Sequence, residues 1–213
     1  MSTQPFIILE IPVTPFQQNC TLWFDEESQQ AIACDVGDAA PVLAEIKRRQ
    51  LKLQLIVATH GHLDHIGGTA ELKAATGVPF WFPSGDDFWR VGLPQQASMF
   101  GGGSVEIPEV DRDLQHGDVV EIGRMRMEVR HCPGHTPGHV VFYDPVGQRV
   151  VAGDVLFQGS IGRTDFPRGS FEELEKSIKE QLYTLPGETL VHCGHGPTTT
   201  IGQEARSNPF VRA

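Results

Sequence analysis

The chain has 213 residues, 39% of them hydrophobic, with 27 acidic against 17 basic side chains and a formal net charge of −10. That length buries a substantial core without staples, so one domain over residues 1–213 is expected. The acidic balance excludes a nucleic-acid backbone as the main ligand, because that partner requires clustered Lys and Arg. No apolar run approaches the roughly 20 residues of a membrane-spanning helix. Residues 1–5 have neither the charged start nor the apolar core of an export signal, so a cytoplasmic location and no membrane partner are expected.

In chain order, residues 6–13, 20–24 and 31–35 read as strands separated by polar turns. Pro41 is expected to open a helix that carries Val42, Leu43 and Ile46 on one face. Residues 53–59 are almost wholly apolar, the pattern of a strand buried on both faces, and they run straight into His60. A second helix over 70–76 is stopped by Gly77 and followed by a strand at 79–82. The stretch 83–113 scatters Phe88, Trp89, Met99 and Phe100 among polar residues and Gly101–Gly103. It reads either as a lid over a pocket or as a connection whose aromatics cover core.

Four successive strands then follow at 119–122, 125–131, 139–143 and 149–152. The helix signal is clearest over 170–182, where Ser170 and Glu173 suggest a capping box and Phe171, Leu174, Ile178 and Leu182 form a stripe. A closing strand at 189–192 precedes a helical or irregular tail. Two groups of strands with interspersed helices predict an α/β fold of two packed sheets flanked by helices. Cys20, Cys34, Cys132 and Cys193 contain no C-x-x-C pair and read as buried apolar residues. Cys132 and Cys193 also lie within three residues of a candidate ligand, which leaves a metal role open for them.

The chemistry concentrates in Thr59-His60-Gly61-His62-Leu63-Asp64-His65, three imidazoles and a carboxylate directly after a buried strand. Such nitrogen and oxygen donors suit zinc, iron or manganese. Three further metal-capable side chains, His135, Asp154 and His195, each stand beside glycine at the exit of a β-run, so several segments can converge on one rim. His116 precedes a Gly-Asp turn and reads as a surface residue.

The pattern H-x-H-x-D-H followed by a later H, D and H resembles the metallo-β-lactamase superfamily, from about residue 12 to the C-terminus. The resemblance implies an αββα sandwich of two mixed sheets with two divalent metal ions at one edge, zinc foremost and iron or manganese as alternatives. His60, His62 and His135 would hold the first ion, Asp64, His65 and His195 the second, and Asp154 would bridge them. Within that superfamily the chain is similar to short glyoxalase II-type thioester hydrolases. The supporting segments are T-H-G-H-L-D-H-I-G-G at 59–68, H-C-P-G-H-T-P-G-H at 131–139, G-D-V-L-F at 153–157, G-R-T-D-F at 162–166, G-H-G-P-T at 194–198 and N-P-F at 208–210. The added C-terminal helical domain of longer members has no counterpart in these 213 residues.

The resemblance further implies hydrolysis of S-D-lactoylglutathione to D-lactate and glutathione through a hydroxide shared by two ions, with Asp64 orienting it. The implied partner is a small-molecule thioester, a glutathione conjugate, with no nucleic acid or membrane; the sequence gives no oligomeric state. Arg163 would contact the glutathione moiety and Phe166 would line the same pocket. A salt bridge holding its own loop is an equal reading for Arg163. His139 would orient a ligand from behind. Two other activities fit the same motifs: a mononuclear-iron persulfide dioxygenase, and a hydrolase of another ester or lactone.

Overall fold

The computed structural model describes residues 6–101 and 103–213. The N-terminal segment read above for an export signal, residues 1–5, and Gly102 of the glycine run lie outside the described residues.

Hydrophobic patterning explains the layering. The first sheet runs β1 (Ile7–Val13), β2 (Gln18–Phe24), β3 (Gln30–Cys34), β4 (Lys52–Val57), β5 (Phe80–Phe82) and β6 (Arg112–Asp113) in spatial order. β1 to β3 are antiparallel and β3 to β6 parallel, so the sheet is mixed. Alternate side chains of β3 divide between two cores. Ile32 and Cys34 face the second sheet, while Ala31 and Ala33 face helices.

The second sheet comprises β7 (Val119–Ile122), β8 (Met125–His131), β9 (Val140–Asp144), β10 (Arg149–Gly153), β13 (Leu190–Cys193) and β14 (Thr199–Thr200). Its spatial order is β14-β13-β10-β9-β8-β7, and the β10–β13 pair alone among these is parallel. Between the sheets, Trp23, Leu55 and Val57 pack against Met127, Val140 and Phe142, with Trp23 and Phe142 edge to face at 5.2 Å. A small hairpin, β11 (Leu156–Phe157) and β12 (Ser160–Ile161), follows β10.

Helices cover both outer faces. On the first sheet lie α1 (Ala39–Arg49), α2 (Leu63–Ile66), α3 (Thr69–Thr76) and α5 (Leu93–Met99), which bury Val42, Ile66, Leu72 and Leu93 in one cluster; α4 (Asp87–Val91) leads into α5. On the second lie α6 (Phe171–Ser177), a π-helical turn Ile178–Leu182, and α7 (Ile201–Ser207). The result is the expected αββα sandwich. Among the described residues, no helix is long and apolar enough to cross a membrane.

Several expectations about elements need correction. Pro41 is the third residue of α1, not the first, because Asp38 caps the helix by accepting from the Ala40 amide at 3.0 Å. The strand expected to reach Thr59 stops at Val57, and Asp64 and His65 lie on the unforeseen short helix α2. The stretch 83–113 is helical in its first half, over Ser84–Asp86, α4 and α5, and remains an irregular connection over 103–111. Ser170 does accept from the Glu173 amide, but its own amide donates to the Gly134 carbonyl, so the reciprocal half of the capping box is replaced. Phe171 is exposed, and the buried stripe is Leu174, Ile178 and Leu182. All four cysteines are buried and free.

Candidate metal centre

The parallel strand β4 delivers its C-terminal end to the seam between the sheets, and the chain leaves it through Thr59-His60-Gly61-His62. From the second sheet, the β8–β9 loop delivers His135, the end of β10 delivers Asp154 and the end of β13 delivers His195. The seven side chains proposed from the sequence thus meet at one edge of the paired sheets. Three sets of ligand atoms lie within 4.8 Å of one another: His60 with His62 and His135; His60 with His65 and Asp154; and Asp64 with His65 and His195.

In the first set, His62 Nδ1 lies 3.1 Å from His60 Nε2 and 3.0 Å from His135 Nε2. One ring nitrogen cannot donate to both neighbours. Three nitrogens bound at 2.0–2.1 Å to a tetrahedral zinc would sit about 3.3 Å apart, close to what is found. Asp154 connects the sets. Its Oδ1 is 3.3 Å from His65 Nε2, and its Oδ2 is 3.6 Å from both His135 Nε2 and His195 Nε2. Asp64 Oδ2 stands 3.3 Å from His195 Nε2 and 4.0 Å from His65 Nε2. The His65 Nε2 and Asp154 Oδ1 atoms are buried without a hydrogen-bond partner, a costly state that cations would relieve. The donor set and its spacing therefore fit two divalent ions.

The far sides of the rings fix their orientation. His60 Nδ1 lies 3.0 Å from Thr59 Oγ1, and His65 Nδ1 lies 3.0 Å from Asp35 Oδ2. His135 Nδ1 lies 2.7 Å from the Arg163 carbonyl, and His195 Nδ1 lies 3.2 Å from the Phe16 carbonyl. Each anchor leaves Nε2 aimed into the centre, the arrangement usual for metal-binding imidazoles. His139 stacks on His60 with centroids 4.7 Å apart, and its Nε2 accepts from the Asp154 amide at 3.1 Å. It therefore positions both residues.

Two carboxylates that the sequence reading overlooked hold the frame. Asp35 accepts from the Thr59 amide at 2.7 Å and from the Thr59 hydroxyl at 2.8 Å, besides meeting His65. Asp86, fully buried, accepts from the Gly61 amide at 3.0 Å, the Thr136 hydroxyl at 2.6 Å and the Gly138 amide at 2.5 Å. It clamps the loop bearing His60 and His62 to the loop bearing His135. Asp35 had a faint signal as an acid ending a buried strand. Asp86 lay in the stretch that resisted reading.

Burial, helped by the His65 charge, pushes His60 well below the usual histidine range, and burial with His135 lowers His62 to about 3. Neutral imidazoles are the form a metal requires. Burial opposes charge on His65 as well, but the carboxylates of Asp154, Asp35 and Asp64 outweigh it and raise that group. Asp154 is the converse: burial would raise it, and His65, His135 and His195 hold it far below the carboxylate range. Positive charge is thus favoured where Asp64 and Asp154 converge.

Glycines bring the backbone unusually close to Asp154. A Cβ on Gly194 would collide with Asp154 Oδ1, and one on Gly162 with the Asp154 carbonyl. A cavity of about 620 Å³ opens over the centre and is lined by His62, Asp64, His135, Asp154 and His195 on its floor. Its walls include Trp89 and Phe100 from the helical stretch after β5, and Phe166. Of the two readings of that stretch, its aromatics line the cavity rather than cover core: Phe88 and Phe100 are partly exposed there with Met99, and the stretch gives the core Leu93 instead. Arg163 lines the cavity but is bonded to Asp165 at 2.6 and 2.7 Å, with its guanidinium 3.9 Å over the Phe166 ring. Phe166 lies 5.3 Å from the His62 ring. His116 is exposed and accepts from the His131 amide.

An αββα sandwich with paired His/Asp ligand sets at its edge defines a metal-dependent hydrolase, and the chain belongs to the metallo-β-lactamase superfamily, whose model matches residues 14–195. Within it, the chain is 44% identical over 210 residues to hydroxyacylglutathione hydrolase GloC of Haemophilus influenzae, covering 95% of this chain and 97% of that one. It is similar to the BLEG-1 B3 metallo-β-lactamase, with a TM-score of 0.90, 34% identity and 97% and 100% of the two chains covered. It is also similar to TTHA1623 in a di-iron-bound form, with a TM-score of 0.87, 38% identity and coverage of 95% and 100%. The di-iron neighbour and the paired ligand sets support a dinuclear centre.

Proposed function

We propose that this enzyme hydrolyses thioesters of glutathione, with S-D-lactoylglutathione as the first substrate to test and D-lactate and glutathione as products. The observation that carries the reading is the Asp154 carboxylate, whose two oxygens face both ligand sets on the floor of a substrate-sized cavity. The similarity to a hydroxyacylglutathione hydrolase supports the substrate class. His60, His62 and His135 would hold one ion, Asp64, His65 and His195 the other, and Asp154 both. Zinc suits these donors best, with iron or manganese as alternatives.

When bound, the ion pair supplies a water acidified toward neutral pH and an electrophile for the carbonyl oxygen. The chain's own residues do the rest. Asp64 lines the cavity with a partly exposed carboxylate and can accept a hydrogen bond from the attacking water, fixing its direction. Thr59, Asp35 and the Arg163 carbonyl hold the imidazoles rigid, so little reorganisation accompanies reaction. The thiolate departs as a stable anion, so the chain need not deliver a proton as the C–S bond breaks. Phe166 would pack against the substrate beside His62, and Arg163 at the cavity wall would meet one carboxylate of glutathione.

Thiol release from S-D-lactoylglutathione, measured with metal analysis of the same sample, tests the proposal. The expected result is turnover that scales with metal loading up to two ions per chain. A single iron per chain, with oxygen uptake on glutathione persulfide and no thioester cleavage, would overturn it. Hydrolysis of a β-lactam or lactone in place of the thioester would move the substrate class while keeping the centre.

A further inference from the structure

The walls of the cavity and its floor differ sharply in character. Trp89 stands 4.6 Å from the His62 ring, Phe166 stands 5.3 Å from it, and the two aromatics are 6.1 Å apart. On the other side Phe157 lies 6.1 Å from His195. Phe16 and Phe100 meet edge to face at 5.1 Å in the same lining. Aromatic surface therefore borders both ligand sets, close to where the scissile bond must lie. Among the described residues, Arg163 is the single Lys or Arg of the lining, and its guanidinium is already engaged by Asp165.

A lactoyl group is small and would leave most of about 620 Å³ and its aromatic walls without contact. Glutathione carries two carboxylates and an ammonium, and burying such charges without partners is far costlier than leaving them in water. The cavity offers them one paired guanidinium, which is itself half exposed. Beyond the one carboxylate that Arg163 can meet at the rim, the carrier's charges are therefore better satisfied in the solvent at the mouth. The group that fills the aromatic interior is then the acyl group.

Resting on the thioester reading above, we infer that the preferred substrates are thioesters whose acyl group bears an aromatic or comparably bulky apolar side chain, packed against the surface that the contacting Trp89 and Phe166 rings present to the cavity. The carrier stays the same, and the interior selects by the size and apolarity of what it buries. Even a single added methylene in an apolar pocket discriminates by roughly 10-fold or more.

The metal-loaded enzyme would be assayed with S-mandeloylglutathione and S-D-lactoylglutathione, which share a carrier and differ by phenyl in place of methyl. The expected kcat/KM is at least about 10-fold higher for the mandeloyl thioester. That ratio should contract in Phe166→Ala and in Trp89→Leu. Binding without turnover gives a second readout: S-benzylglutathione should bind more tightly than S-methylglutathione by a similar factor in calorimetry, with a more negative heat-capacity change. Equal or better hydrolysis of the lactoyl compound, together with equal binding of the two thioethers, would overturn the inference and leave the thioester reading standing. Cleavage of neither thioester by fully loaded protein would overturn both.

Discussion

Replacing Asp86 by Asn isolates what the buried carboxylate does for the centre. Its two oxygens each receive a donor that cannot turn around: the Gly138 amide on Oδ1 and the Gly61 amide on Oδ2. The Thr136 hydroxyl can rotate to accept instead, so it does not constrain the outcome. Asparagine supplies one acceptor and one donor. Either orientation leaves one of the two amides facing an NH2 group in a site closed to water. Losing one hydrogen bond to a charged group and stranding its donor costs about 2–3 kcal/mol. At this chain length that is a melting-point drop of about 4–12 °C.

Thermal unfolding of metal-free Asp86→Asn against the parent would measure the loss, with Thr136→Val as the milder companion. Because Asp86 ties the loop of His60 and His62 to that of His135, affinity for the ion at that set should weaken about 10–100-fold. The Asp64, His65 and His195 set should change much less. A melting point within about 1 °C of the parent, with unaltered affinity for both ions, would refute the clamp.

Three further outcomes are expected. Asp154→Ala should lose both ions or nearly all turnover, because its oxygens face both ligand sets; two retained ions and near-normal turnover in metal analysis and steady-state kinetics would contradict the bridging role. Arg163→Ala should raise KM for S-D-lactoylglutathione more than it lowers kcat, the pattern of lost uniform binding; an unchanged KM would assign Arg163 wholly to its pair with Asp165. The Arg124 guanidinium, against burial and with the Glu27 amide and Ser28 hydroxyl, holds the Asp25 carboxyl down at about 2. A depressed folded-state value means the stabilisation is complete above the ordinary carboxylate range and disappears as pH falls from about 4 to about 2. Metal-free Asp25→Asn should therefore lose stability near neutrality yet show a flatter melting curve across that acid window, and an unchanged slope there would count against the pair.

The sandwich was legible because local pattern and burial agree. Residues 31–34 and 140–143 alternate between two cores, and both appear as apolar runs in sequence. The seven candidate ligands stood out because side chains at the exits of buried strands must share an edge once the sheets pack. The supports did not stand out, since their roles are set by partners far along the chain. Asp35 reaches Thr59 across 24 residues and His65 across 30, and Asp86 reaches Gly138 across 52. The short helix α2 was hidden for another reason: four residues, Leu63–Ile66, are too few for any periodicity to register. The helices within 83–113 did not register because the aromatics there line a cavity rather than repeat along one buried face.

The glycines pressed against Asp154 also bear on how this scaffold can diversify. Any side chain at Gly194 or Gly162 would strike the Asp154 carboxylate or carbonyl, so these two positions beside the reactive floor admit almost no substitution. The opposite wall is built from α4 and α5, whose Phe88, Val91 and Met99 are exposed and bear little core. These exposed side chains can be exchanged without touching the ligands, whereas Gln96, which accepts from the Leu63 amide, and the buried Leu93 hold the wall in place. The scaffold thus has room for new substrate preferences at the exposed positions of α4 and α5, changes that leave the reactive floor intact.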